Sequence, residues 1–229
     1  MPSLENKVSF ITGAGSGIGL ATALKMGAEG STVICSDINE QSAQAAATRI
    51  EDAGGKASVN ALDTSDEAAV KEALSKTVKD FGRLDVLYNN AGVARQGWGL
   101  TNDVNLAGVY YGLMHACPIM AEQGGGSIVN TASAAGLVAI YAPGADFMKN
   151  PAVLEGTASY VATKHGVVGL TKQFAVAFGP ANVRVNAVCP GYIETPMTQE
   201  TRERPGGRKF MESMQPMGCL LYTSDAADE

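Results

Sequence analysis

The chain reads as α/β, a doubly wound parallel sheet in a single domain. Three observations predict it. Short apolar runs alternate with helix-period stretches along the chain. The length of 229 residues and a hydrophobic fraction of 45% suit one domain with a sizeable core. A glycine-rich turn, Thr12-Gly13-Ala14-Gly15-Ser16-Gly17-Ile18-Gly19, separates the first apolar run from the first helical stretch.

Candidate strands are Lys7–Thr12, Thr32–Ser36, Lys56–Leu62, Leu84–Asn89, Ser127–Thr131 and Val183–Val188. They are short, bounded by turn residues and apolar on both faces, as strands buried in a parallel sheet are. Helical stretches are Ile18–Glu29, Glu40–Ala53, Asp66–Phe81, roughly Gly99–Glu122, and Ser159–Phe178. Asn39 and Ser65 are candidate N-caps, and Gly30, Gly54–Gly55, Gly82 and Gly124–Gly126 stop the preceding helices. Two stretches break the pattern. Leu137–Thr157 carries Tyr141, Pro143, Gly144, Phe147, Met148 and Pro151, and Met197–Met217 is charged in its middle and rich in methionine. Both follow strand ends on the presumed ligand side, where specificity loops belong.

Composition narrows the function. The net charge is −6 with no basic block, which argues against nucleic acid or an anionic membrane surface as partner. No apolar run approaches the ~18–20 residues that span a bilayer. A strand begins within the first few residues, leaving no room for a signal peptide. The four cysteines (Cys35, Cys117, Cys189, Cys219) lack C-x-x-C spacing and read as buried thiols of a cytoplasmic protein. His115 and His165 stand apart from any carboxylate cluster, so no metal site is expected. The last eleven residues, from Cys219 to Glu229, match the translation of the transposon-end adapter used in short-read sequencing libraries. They are read as non-native, with the natural chain continuing differently after about Gly218.

A strand, a glycine turn and a helix form the setting of a Rossmann-like dinucleotide site. Glycines let backbone N–H groups approach a pyrophosphate, and the helix N-terminus adds partial positive charge. Asp37 ends the second strand, where a carboxylate accepts hydrogen bonds from both adenosine ribose hydroxyls and repels a 2′-phosphate. No lysine or arginine occupies Ser16, Ile38 or Asn39, so NAD is favoured over NADP. Asp63, with Thr64 beside it, follows the third strand and is a candidate partner for the adenine amino group. The alternative reading of Asp63 is a plain turn into the next helix. Asn90-Ala91-Gly92 ends the fourth strand and lets the backbone pass close to the adenosine half.

Tyr160-x-x-x-Lys164 places a phenol and an ammonium on one helix face. A phenol of pKa near ~10 is a poor base at neutral pH, and a neighbouring cation favours its phenolate. Ser133, at the end of the fifth strand, supplies a hydroxyl donor for a substrate oxygen.

With these elements together, the sequence resembles the short-chain dehydrogenase/reductase family from about Lys7 to Met217. The matching residues are Thr12-Gly-x-x-x-Gly-x-Gly19, Asp63, Asn89-Asn-Ala-Gly92, Val104-Asn105-Leu106, Ser133, Tyr160-x-x-x-Lys164, Arg184-Val-Asn186 and Pro190-Gly191. The resemblance implies Tyr160 as general acid/base and Lys164 as the residue that lowers its pKa and holds the nicotinamide ribose. It implies that Ser133 positions the substrate oxygen and that Asn105 keeps a water in a proton relay reaching Lys164. It places Ile193 and Thr195 against the nicotinamide carboxamide, makes Asn186 structural and implies a homo-oligomer, dimer or tetramer. Three departures stand out: a short Asn90–Asn105 interval, a long Ser133–Tyr160 interval, and the loss of the helix and strand that close the family's C-terminus. Tyr141, Phe147, Met148 and Leu154 of the long interval are expected to replace the substrate wall that the short one lacks. The expected function is NAD-dependent interconversion of a secondary alcohol and a ketone. The alternatives are an NADPH-dependent carbonyl reductase, a non-catalytic dinucleotide-binding protein or an inactive fragment of an enzyme.

Overall fold

A computed structural model describes residues 3–140 and 148–222. One parallel sheet contains β1 (Val8–Thr12), β2 (Thr32–Asp37), β3 (Lys56–Ala61), β4 (Val86–Asn89), β5 (Gly126–Thr131) and β6 (Val183–Val188), in the order β3-β2-β1-β4-β5-β6. The helices are α1 (Gly17–Ala28), α2 (Glu40–Asp52), α3 (Glu67–Phe81), α4 (Trp98–Asn102), α5 (Gly108–Glu122), α6 (Pro151–Phe178), α7 (Pro196–Glu203) and α8 (Gly207–Ser213). Strand order reverses between β1 and β4, which opens the ligand crevice at the carboxyl ends of the strands.

Side chains alternate across each strand and so build two core layers. Phe10, Ile34, Leu87, Ile128 and Val185 pack against Leu74 of α3, Leu113 and Met120 of α5 and Val167 of α6. Ile11, Val33, Cys35 and Tyr88 face the other way, against Ala23 of α1 and Ala46, Ala47 and Ile50 of α2. Each fully buried Leu or Ile contributes roughly 1.5–3 kcal/mol. All of β1 is buried, whereas β3 is only partly covered, contrary to the expectation of strands apolar on both faces. As an edge strand, β3 has a sheet neighbour on one side only.

Four further expectations are corrected. Asp66, not Ser65, caps α3, accepting from the Ala68 and Ala69 amides at 2.9 and 3.1 Å. The stretch 99–122 is divided, with a π-helical turn at Asp103–Ala107 between α4 and α5. There Gly108 lies against Thr64 and Gly112 against the Asn89 amide, approaches that a side chain would block. Helix α6 starts at Pro151 rather than Ser159, because Asn150 caps it and Pro151 tolerates the first-turn position. The stretch 197–217 is largely helical, as α7 and α8.

Cys35 and Cys117 are buried, and burial pushes each thiol up to about 12. Cys189 is half-buried and Cys219 exposed, so burial does not extend to all four. Leu220 is buried and Leu221 forms a parallel bridge with Ile193, although residues 219–229 were set outside the fold. Leu220 buries there because doing so removes its surface from water, while Leu221 is only half-buried. Among the described residues, no helix is long and apolar enough to cross a membrane.

Candidate active site

The glycine turn is specified by contacts that only glycine permits. A Cβ on Gly19 would collide with the Gly13 carbonyl oxygen, and one on Gly15 would lie 2.5 Å from the Ser42 Cβ. Gly13 also has φ of +66°, a conformation that side chains resist. Ser16 is the N-cap of α1, yet its side chain makes no capping bond. The amides of Gly17, Ile18 and Gly19 at the helix N-terminus thus lack a side-chain cap and can donate to an anion. These residues fit a dinucleotide: close backbone approach, free amides and a helix dipole of the required sign.

Asp37 sits behind the turn. Its Oδ2 accepts from the Gly15 amide and its Oδ1 from the Asn39 amide, both at 3.0 Å. Each carboxylate oxygen retains capacity for another donor. Asp63 Oδ1 accepts from the Ser65 amide and hydroxyl at 2.9 and 2.7 Å, forming a turn into α3. The neighbouring Thr64 packs on Gly108.

Thr12 fastens the crevice floor. Its hydroxyl accepts from the Asn90 and Ala91 amides at 2.9 and 3.0 Å, joining the ends of β1 and β4. Asn90 donates back to the Thr12 carbonyl at 3.1 Å and accepts from the Thr131 hydroxyl at 3.2 Å. The Asn90 side chain therefore binds three strand ends together, leaving Ala91 and Gly92 as the bare backbone of that edge. Sequence reasoning also missed the buried chain from Asn89 to Asn130 (2.9 Å) and on to Thr171 (3.0 Å). The signal was two asparagines inside otherwise apolar strands.

Asn105, on the π turn, is fully buried. Its side chain clamps Val93, accepting from the amide at 2.7 Å and donating to the carbonyl at 2.9 Å. A Cβ on Gly92 would lie 3.3 Å from Asn105 Oδ1 and 3.7 Å from Lys164 Nζ, so these three residues converge.

Ser133, Tyr160 and Lys164 meet across β5 and α6. Gly136, in the single 3-10 turn after Ser133, packs on the Lys164 backbone, which brings the serine beside α6. Ser133 Oγ accepts from the Ala135 amide at 3.1 Å and lies 3.5 Å from the Pro190 carbonyl. Lys164 Nζ donates to the Thr131 carbonyl at 2.7 Å and lies 5.7 Å from the centre of the Tyr160 ring. Burial pushes Lys164 down to about 8, with Cys189 acting in the opposite direction. Burial also raises the Tyr160 phenol above its usual value; Ser133 opposes that shift, and Tyr192 adds to it. The resting phenol is thus a proton donor that needs added positive charge to become a base.

The far wall comes from residues 190–215. Ile193 is buried, and its carbonyl accepts from the Thr198 hydroxyl at 2.7 Å. Thr195 caps α7, and a Cβ on Gly17 would lie 3.5 Å from the Thr195 side chain. The α7 N-terminus therefore stands over the glycine turn. Gly191 is packed against Gln215. Arg202 and Arg208 both pair with Glu194, at 2.8 and 3.3 Å. Arg95 spans the crevice mouth, donating to the Met197 carbonyl at 3.2 Å and pairing with Glu200 at 3.3 Å. Glu155 of α6 accepts from the Trp98 amide at 3.1 Å, docking the longer helix on the short Asn90–Asn105 interval. Of the expected replacement wall, Tyr141 and Phe147 lie outside the described residues. Met148 is 94% exposed and Leu154 is also exposed, so neither forms a buried wall.

Residues 7–206 match the family model described as short chain dehydrogenase. The chain is 40% identical over 233 residues to cyclohexanol dehydrogenase of Acinetobacter sp. (strain SE19), covering 97% of this chain and 85% of that protein. It is 40% identical to the 3-oxoacyl-(acyl-carrier-protein) reductase FabG of Thermotoga maritima, covering 94% and 85% of the two chains. The crystal structure of levodione reductase superposes with a TM-score of 0.86 at 31% identity, covering 98% of this chain and 89% of that one. Such enzymes use nicotinamide cofactors and act on alcohols or ketones. With its parallel sheet, glycine turn and Ser133–Tyr160–Lys164 cluster, this chain belongs to the short-chain dehydrogenase family.

Proposed function

We propose that the protein is an NAD-dependent oxidoreductase interconverting a secondary alcohol and a ketone, with Tyr160 as general acid/base. The observation that carries the chemistry is the buried Lys164 ammonium within 5.7 Å of the Tyr160 ring, beside Ser133. Asp37 carries the choice of NAD. Its carboxylate, anchored by the Gly15 and Asn39 amides, suits ribose hydroxyls and opposes a 2′-phosphate.

A bound nicotinamide supplies the hydride acceptor and a positive charge. Tyr160 takes the hydroxyl proton of the alcohol as the carbon gives up its hydride, and returns a proton to the ketone oxygen in the reverse direction. Ser133 donates a hydrogen bond to that oxygen as charge develops on it. Lys164 stabilises the phenolate and holds the ribose. Asn105 holds Val93 and the π turn, from which a water reaches Lys164. Gly13, Ser16, Gly17, Ile18 and Gly19 bind the pyrophosphate side; Asp63, Thr64, Asn90, Ala91 and Gly92 border the adenosine side. Pro190, Gly191, Ile193 and Thr195 border the nicotinamide.

Exposed apolar residues on α5, Tyr110 and Met114, support a homo-oligomer, and a cytoplasmic setting accords with the free thiols. The adapter reading of residues 219–229 stands as a proposal, checked by resequencing the locus. The decisive assay is NADH formation from cyclohexanol and other secondary alcohols, with NADP in parallel. Tyr160→Phe should cost about 10²–10⁴ in turnover while retaining NAD binding. Undiminished turnover in that variant overturns the assignment of the base.

A further inference from the structure

A second phenol is carried on the segment that leaves β6 beside Ser133. Tyr192 lies two residues beyond Pro190, whose carbonyl accepts from the Ala134 amide at 3.0 Å and sits 3.5 Å from Ser133 Oγ. The segment is held from outside. Gln215 donates to the Tyr192 carbonyl at 3.1 Å, and its amide fills the space beside Gly191. The Tyr192 ring meets Phe210 of α8 edge-on, with centroids 6.1 Å apart. The residue is only half-buried, and among the described residues its hydroxyl has no hydrogen-bond partner. A negative charge on Tyr192 would disfavour ionisation of Tyr160, since the two phenolates carry like charge.

We propose that Tyr192 is a specificity-determining residue whose hydroxyl bonds to a second oxygen on the substrate, making oxygenated cyclic alcohols such as diols and hydroxyketones the preferred class. The inference rests on the alcohol–ketone reading above. Tyr160 and Ser133 are committed to the reacting oxygen. A substrate that covers the crevice strips water from the Tyr192 hydroxyl, and a bare hydrocarbon ring offers no replacement. A substrate with an oxygen near the reacting carbon restores that bond. Phe210 and Gln215 make α8 the element that sets where the second oxygen must lie.

The test measures equilibrium binding of trans-cyclohexane-1,2-diol and of cyclohexanol to the NAD-saturated Tyr160→Phe chain, which holds substrate without consuming it. The same titrations follow in Tyr160→Phe/Tyr192→Phe. The diol should bind the first protein more tightly than the monoalcohol, and the second change should erode that ratio about five- to tenfold. Phe210→Ala should erode it in part by loosening the ring. An unchanged ratio in the double variant overturns the inference while leaving the alcohol–ketone reading intact. If the unmodified chain turns over neither alcohol nor any other secondary alcohol, that reading falls and the inference with it.

Discussion

The two sides of the crevice are built on different physical terms. On the dinucleotide side, glycines pack against backbone, and Thr12, Asn90 and Asp37 bond to main-chain groups. On the substrate side, α7 and α8 are tied down by charged side chains near the surface: Arg95, Arg202 and Arg208 on Glu200 and Glu194. Backbone packing tolerates almost no substitution. Exposed ion pairs are each worth about 0–1 kcal/mol and exchange readily. Under the proposed function, one side is fixed to receive a constant ligand and the other is free to change with the substrate.

Breaking the rigid side should have the largest effect. Gly19→Val drives a branched side chain into the Gly13 carbonyl, a collision that typically costs about 1–3 kcal/mol. The expected result is loss of NAD binding by calorimetry, with reduced thermal stability. Next comes Asp85, at the other end of β1 and β4. It accepts from the Val8 amide at 3.0 Å, from Lys7 at 3.2 Å and from Arg83 at 2.6 Å. Burial alone would raise its pKa, yet Arg83, the Val8 amide and Lys7 together hold it below the usual carboxylate value. A lowered folded pKa means that its stabilisation is present above the ordinary carboxylate range and is lost as pH falls through the folded value. Asp85→Asn should therefore cost roughly 1–3 kcal/mol at neutral pH and flatten the acid limb of the unfolding profile.

On the adaptable side the changes should be smaller. Arg95→Ala removes the strap to α7 and should raise KM a few-fold while altering global stability by about 1 kcal/mol or less. High salt should reproduce part of that rise in the unmodified protein. A larger loss of stability would show that the strap is part of the rigid half. Met148→Ser should change KM less than twofold, since the side chain is almost wholly exposed.

This contrast explains what the sequence made legible. The strand–helix alternation, the glycine turn and the Tyr160–Lys164 pair depend on periodicity and close spacing, which a sequence displays directly. Pairings such as Arg95 with Glu200 join residues far apart in sequence, and no local pattern announces them. The start of α6 was legible in principle. Asn150-Pro151 is a cap followed by a first-turn proline, but the apolar residues around it read as a specificity loop. The π turn was hidden because one wide turn inside an otherwise helical stretch leaves no residue-type signal of its own. Asp66 over Ser65 was a choice between two adjacent good caps. Hydrogen bonding decided it, since Asp63 engages Ser65 and leaves Asp66 to serve the helix.

The placement of Thr195 above Gly17 has a consequence for protease sensitivity. The segment that begins at Thr195 contains Arg202, Arg204, Arg208 and Lys209, with Pro205 shielding the bond after Arg204 from trypsin. Under the proposed reading, a dinucleotide bound between the glycine turn and Thr195 should tie down the root of this segment and slow its local opening. Nicking after Arg202, Arg208 and Lys209 should then slow as cofactor is added, a change readable by mass spectrometry without any substrate.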